Sequence, residues 1–300
     1  MSMLSAFKRS GQGLSRGFES TSRWLDSTLE VARWENMLQA GRRWGWWGGA
    51  LGAIAGVVLF APASWLAQVV DRASGGRVLL AEAEGTVWTG SAVAVLTGGP
   101  GSRDARALPG RLGWQWRTQG LGLRLTLTQD CCLPAPMTLD LKPGWKRVGL
   151  QLGSAAPSGM PVGQWPAAWL SGLGAPWNTL QLNGQLQLHA QGLRMEWVQG
   201  RLLVDGSAQI VLRDVASRVT TLDHLGTYRL SLVGQAQSQV ALDLRTQEGA
   251  LQLSGSGQIG PTGLRFRGEA TASDADRGAL NNLLNIIGRR VGDRSVISIG

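Results

Sequence analysis

"NTLQLNGQLQLHAQGL" occupies residues 178–193. Leu180, Leu182, Leu186 and Leu188 fall in step, with Ala190 continuing the row, and between them stand Gln181, Asn183, Gln185, Gln187 and His189. Successive side chains of an extended chain point to opposite sides, so this spacing separates one apolar face from one face of neutral amides. Gln and Asn keep such a face soluble without adding charge. The stretch predicts a strand half-buried in an antiparallel sheet.

The same period of two recurs on both sides of it. "LGLRLTLT" aligns Leu121, Leu123, Leu125 and Leu127, and "MTLDL" aligns Met137, Leu139 and Leu141. "YRLSL" does so with Tyr228, Leu230 and Leu232, "VALDL" with Val240, Leu242 and Leu244, and "LQLSGSGQI" and "LRFRGEA" continue the series. Gly, Asn, Pro and Ser punctuate these runs as turn residues do. The fold class is therefore mostly β: an antiparallel meander, closed as a sandwich or left as a curved open sheet. One helix is predicted near the end, in "SDADRGALNNLLNIIGRR". Ser273 is its expected N-cap, Leu280, Leu283, Leu284 and Ile287 form an apolar stripe that packs on the sheet, and Gly288 with Arg289 and Arg290 suits its C-terminus. "SVISI" after it reads as a last strand.

From Trp44 to Val70 the chain, "WGWWGGALGAIAGVVLFAPASWLAQVV", carries no charge. That exceeds the roughly 20 residues needed to cross a bilayer. Trp44, Trp46 and Trp47 stand at one end and Trp65 at the other, where amphipathic rings favour the headgroup layer. Residues 44–70 are thus expected to form a transmembrane helix; a cleaved signal segment, suggested by the small residues of "APASWLAQ", is the rival reading. Lys8, Arg9, Arg16, Arg23, Arg33, Arg42 and Arg43 precede the run, against Glu19, Asp26, Glu30 and Glu35. The positive-inside rule then makes 1–43 a basic cytoplasmic tail and puts 71–300 outside, in the periplasm of a Gram-negative cell. A short helix over 22–39 is compatible with the spacing of Trp24, Leu25, Leu29, Ala32 and Leu38.

Within 71–300 a faint internal echo links "EGTVWTGSAVAVL" (84–96) to "QGRLLVDGSAQIVL" (199–212), and "RLGWQW" (111–116) to "GLRMEW" (192–197). It suggests two related β-modules, 71–153 and 178–300, each with Gly-Ser-Ala at a turn, joined by the Pro-rich "SAAPSGMPVGQWPAAW" (154–169).

Residue types that perform chemistry are thin. The formal net charge is +9, but the basic residues are spread along the chain and accompany no nucleic-acid motif, so no nucleic-acid partner is expected. Of the two histidines, His189 falls on the polar face of its strand and reads as solvated, and His224 is next to Asp223, which on an extended chain points the other way. No Gly-x-Ser-x-Gly elbow precedes a helix, and "SGSGQIG" lies among strands rather than before the helix that a phosphate loop requires. The carboxylates form no close pair for acid–base work. Cys131 and Cys132 are adjacent and lack further ligands for a metal. They read as a vicinal disulfide or as two unpaired thiols. No catalytic residue, cofactor site or metal site is expected, and the chain is expected not to be an enzyme.

Several segments together resemble one family: "GTVWTGSA" (85–92), "LGWQW" (112–116), "LGTYRLSLVG" (225–234), "TQEGALQLSGSGQI" (246–259), "LRFRGEATA" (264–272) and "LNNLLNIIGRRVGDRSVISIG" (280–300). With one apolar run before them, they look like protein N of the bacterial type II secretion system. The resemblance covers about residues 45–300 and implies a single-pass inner-membrane protein with a periplasmic domain. It implies an accessory, non-catalytic role in exporting folded proteins across the outer membrane, with other secretion components as partners. The family is similar in its β-rich architecture to AsmA-type envelope proteins, which implies an alternative: a membrane-anchored β-groove that handles envelope lipid. A closed sheet would use up the apolar face as core; an open one would leave it free for lipid.

Overall fold

The computed structural model describes residues 45–157, 159–235, 239–261 and 263–300. The tail 1–43, its expected helix over 22–39, and Trp44 lie outside the described residues. The chain divides into two units at Phe60/Ala61. In the first, residues 45–59 are helical (α1).

The apolar run is not one helix over 44–70. It breaks at Phe60–Pro62, and a second helix, α2, spans Ala63–Ser74. Pro62 has no amide hydrogen and disfavours helical backbone in the residue before it, which is why the break falls there. Among the described residues no helix is long and apolar enough to cross a membrane. Gly75 ends α2 in the left-handed region (φ 63°), its N–H donating to the Arg72 carbonyl while the Gly76 N–H reaches Asp71. Glycine reaches that backbone conformation without the clash a Cβ would bring.

The second unit is built on an antiparallel sheet of sixteen strands, nearly all in a meander. The N-terminal part contains β1 (Val78–Gly85), β2 (Thr89–Thr97), β3 (Ala105–Ala107), β4 (Leu112–Gln119), β5 (Gly122–Thr128), β6 (Met137–Gly144) and β7 (Arg147–Ser154). A short β8 (Gly163–Pro166) follows, then a 3-10 turn (Ala167–Leu173) and one helical turn, α3 (Trp177–Leu180). The C-terminal part contains β9 (Leu182–Val198), β10 (Arg201–Ser217), β11 (Gly226–Gln235), β12 (Gln239–Glu248), β13 (Leu251–Gly260) and β14 (Gly263–Ala272). Helix α4 (Arg277–Ile287) and the hairpin β15 (Arg289–Val291) and β16 (Arg294–Ile299) complete the chain. The path runs from β1 to β15, and these end strands do not pair, so the sheet is open. The C-terminal part opens with the longest strands, β9 and β10, each of 17 residues. One edge of β9 is shared: its end pairs with β7 (Arg147↔Val198 to Gln151↔Arg194) and its start with β8 (Gly163↔Leu188 to Pro166↔Gln185).

Several details differ from the sequence expectation. The 178–193 stretch is strand only from Leu182; Leu180 sits in α3 and is buried. Both Gly-Ser-Ala triplets lie inside strands, on β2 and β10, rather than at turns. Helix α4 starts at Arg277, so Ser273 does not cap it: its hydroxyl donates to the Asp276 carboxylate instead. Arg289 and Arg290 belong to β15, not to the helix terminus.

Antiparallel alternation sends every second hairpin to the same end of the sheet. The turns β4–β5, β6–β7, β9–β10 and β13–β14 share one end, called here the hairpin end, and the β1–β2 turn faces the same way. The opposite end gathers longer segments that fold over the apolar face. There Leu280, Leu283 and Leu284 of α4 pack with Leu225, Tyr228, Leu251 and Ala270 in the largest buried cluster. A smaller cluster joins Ala63 of α2 to Ala92 and Trp114. A third holds Ala94, Leu108 and Cys132 beneath Trp165 and Trp169.

Candidate interaction surface

The residues that could recognise a partner follow from which parts of the apolar face are covered. Cross-strand partners share a face, so the register traces one continuous apolar surface. It runs from Leu125 and Leu139 on β5 and β6 to Leu152 on β7; Leu150 of β7 meets Met195 of β9, and farther along β9 Leu188 meets Ile210 of β10. From there it continues through Leu230 and Leu244 on β11 and β12. Most of these side chains are half-buried, and the buried clusters stop short of the hairpin end. On β13 alone, Leu251 is 2% exposed and Ile259 40%, although both lie on the same face. Leu264, opposite Ile259, and Ile299 are also exposed. A row of half-exposed leucines and isoleucines is more apolar surface than solvation favours.

The opposite face is polar and locally compensated. Arg124 and Asp140 face each other across β5 and β6 and form a two-pronged pair at 2.6 and 2.8 Å. The hydrogen bond to Arg124 holds the Asp140 carboxyl below its ordinary range. An open depression of about 640 Å³ on the same face is lined by Asp243, Arg245, Arg267, Glu269 and Arg294, in which both signs of charge are represented. A second, about 360 Å³, lies among Arg103, Asp104, Arg106, Asn178 and Arg218, where Asn178 donates to the Asp104 carboxylate.

The sheet edges are poor templates for strand addition. Glu82 on β1 adopts a left-handed conformation (φ 51°) at a register shift, and the Arg111 guanidinium bonds its carbonyl and pairs with Glu84. At the other edge β15 has three residues, two of them Arg. Bulges, charges and short edge strands all hinder pairing with another chain.

The residue types singled out for chemistry are dispersed. His189 is on the polar face of β9, opposite Gln209, and half-buried rather than fully solvated. Burial lowers its pKa, and the charges of Arg213 and Arg229 lower it further. Asp223 and His224 are exposed in the connection between β10 and β11. Cys131 and Cys132 are joined in a vicinal disulfide, and Cys132 is buried. Among the described residues no group of His, Cys, Asp and Glu is arranged to hold a metal. What the sequence did not signal is the Tyr228 hydroxyl: it is buried with no hydrogen-bond partner, and burial raises its pKa.

No curated relative and no similar solved structure was found. The family model for type II secretion system protein N, however, matches residues 76–297, which takes in all sixteen strands but for the last residues of β16. On that match the chain belongs to the protein N family of the type II secretion system.

Proposed function

We propose that this chain is an accessory subunit of the type II secretion system that works by contact rather than by chemistry. In this reading the apolar segment from 44 to about Phe60 anchors it in the inner membrane, the basic tail 1–43 is cytoplasmic, and the rest of the chain, 71–300 included, is periplasmic. The family match over 76–297 carries the proposal, because it covers the sheet from β1 onward. The break at Pro62 fits an anchor that ends near Phe60 and hands over to an amphipathic helix outside it. With both edges blunted, the natural contact surface is the half-exposed apolar face, where segments of other periplasmic secretion components would bury their own apolar side chains.

A photo-crosslinking amino acid at Met195, Val204 or Val240, in cells that secrete through this system, tests the reading. Adducts with other secretion components are expected, and deletion of 71–300 should weaken secretion or assembly. Asp223→Ala combined with His224→Ala should leave secretion unchanged.

One observation favours a second reading. The sheet is open, and toward the hairpin end its apolar face is left half-exposed instead of being closed as a core, as a β-groove for acyl chains requires. If those positions crosslink only to phospholipid, and phospholipid co-purifies with the chain, lipid handling replaces protein contact as the function.

A further inference from the structure

Two hairpin tips carry side chains that their turns do not call for. The β4–β5 turn is Gly120-Leu121 and the β6–β7 turn is Trp145-Lys146. Two-residue hairpins favour Gly, Asn or Asp, whose backbones take positive φ readily. Gly120 (φ 59°) meets that need, but Lys146 (φ 58°) meets it at a cost, and neither turn needs Leu or Trp. Leu121 is 97% exposed and Trp145 90%. Isolated exposed apolar residues are ordinary, but these two are neighbours: their hairpins are two strand spacings apart, about 10 Å. Val148 and Trp197, cross-strand partners on β7 and β9, extend the patch and are exposed as well.

Charge surrounds the patch with one dominant sign. Arg117, Lys142, Lys146, Arg147 and Arg201 are all exposed there. Lys146, Arg147 and Arg201 take no part in the ion pairs of the described residues. Apolar tips ringed by cations form the pattern of a surface that settles into the interfacial layer of an anionic bilayer, with Trp at headgroup depth.

The path of the chain supplies an independent observation. The sheet unit begins at Ala61, whose carbonyl accepts the Val87 N–H, while Pro62 bridges to Thr86. This is the β1–β2 turn, which faces the hairpin end. Trp88 lies opposite Trp116 on β4, and from Trp116 the strand runs on to the Gly120-Leu121 tip, roughly 13 Å at the rise of a strand. Ala61, the first residue of the unit, therefore lies toward the end where Leu121 and Trp145 project, not at the end closed by α4.

We propose that the hairpin end is a membrane-docking surface: Leu121 and Trp145 enter the interfacial layer of the bilayer, and the surrounding Lys and Arg side chains face its anionic headgroups. This rests on the reading of the apolar segment before Ala61 as an anchor and adds to it a second attachment that fixes the sheet upright, with its apolar face running away from the membrane. An anchor alone would leave the domain free to swivel.

The test uses the full chain in vesicles of phosphatidylcholine with phosphatidylglycerol, its native disulfide kept oxidised. An environment-sensitive fluorophore is attached to Leu121→Cys, Trp145→Cys or, at the opposite end, Thr221→Cys. Labels at 121 and 145 should shift to the blue and lose most of their emission to bromine-labelled acyl chains, while the label at 221 should do neither. Changing Leu121 and Trp145 together to Asp should abolish the quenching of a label at Val148→Cys. Labels at 121 and 145 as wet as the one at 221 would overturn the proposal, and so would protection that arises only when other secretion components are added. Equal quenching in purely zwitterionic vesicles would overturn the role given to the basic side chains. An alkaline wash reports on the anchor separately: a chain that washes off vesicles in which its labels had been quenched refutes the anchor before Ala61 and not the docking of the tips.

Discussion

The two ends of the sheet are written in the same alternating pattern and end up in different surroundings. Toward the end closed by α4, Leu251 and Ala270 vanish beneath Leu280, Leu283 and Leu284. Toward the hairpin end, on the same face of the same two strands, Ile259 and Leu264 stay exposed. A strand's period determines which side a residue faces, not whether anything lies over it. Cover comes from segments outside the strands: α2, which starts beside the β1–β2 turn and packs over Ala92 and Trp114, and the connection between β7 and β9 and helix α4, which pass over the face away from the tips. The sheet thus has a stabilising end and an end with apolar surface to spare.

That division is open to attack by substitution. The largest effect is expected at α4. Leu283→Ala should cost about 2–5 kcal/mol, as for other fully buried leucines, in urea unfolding of the detergent-solubilised chain. Ile259→Ala should cost about 1 kcal/mol or less, because much of its surface already meets solvent. Similar losses at both positions would mean that the hairpin end is covered after all, and the comparison would fail.

Tyr228 sharpens the same contrast from inside the covered end. Its ring belongs to the α4 cluster, but its hydroxyl has no partner there. A buried unpaired hydroxyl is a net cost, so Tyr228→Phe should raise stability by about 1 kcal/mol. Removing the ring with Tyr228→Ala should lower it by about 3–5 kcal/mol. A loss on changing to Phe would show that the hydroxyl is hydrogen-bonded in the folded chain after all.

Much of this was legible in the chain. The strands, their antiparallel order and the C-terminal helix follow from period-two and period-three-to-four spacing, which are local properties. Pro62 was visible as a breaker inside the apolar run, yet hydropathy summed over 44–70 outweighed it. The helical turn at Leu180 was hidden because its leucine continues the strand's own alternation. The start of α4 was misread because Ser273 and Asp276 are spaced like a cap and bond to each other instead. Least legible was the cover over the apolar face, which depends on where long connections fall back. The tip patch did leave a signal: Leu in a Gly-Leu turn and Trp in a Trp-Lys turn are misplaced by turn chemistry alone, although Leu121 also fits the strand alternation and was counted there.

The disulfide tests the middle of the covered face with a smaller effect. A bridge between adjacent residues closes almost no loop and so restricts the unfolded chain little. Cys132, however, is packed with Ala94 and Leu108 under two tryptophans. Changing both cysteines to Ala should therefore lower stability by under about 1 kcal/mol. Changing both to Ser should cost about 1–3 kcal/mol, since serine in place of Cys132 would bury a hydroxyl in an apolar cluster. Equal outcomes would mean that the site is wetter than its neighbours indicate, and that the cover over this part of the sheet is loose.

The smallest effect is expected on the polar face, at His189. Burial, Arg213 and Arg229 all disfavour its protonated form, so its folded pKa lies below the ordinary value. Below about pH 6.5 the unfolded chain takes up this proton before the folded one does. The stability tied to the neutral imidazole is thus fully present above that pH and is lost as pH falls from it toward the lowered folded value. His189→Gln cannot titrate and should flatten this part of the stability profile, leaving the profile above pH 7 unchanged. Because His189 is on the face away from α4 and the apolar surface, its pH window should be the same in Leu283→Ala and in the unaltered chain. A window that shifts when the α4 cluster is weakened would show that the two faces are coupled through β9, and that cover at one end of the sheet reaches further than the strands it touches.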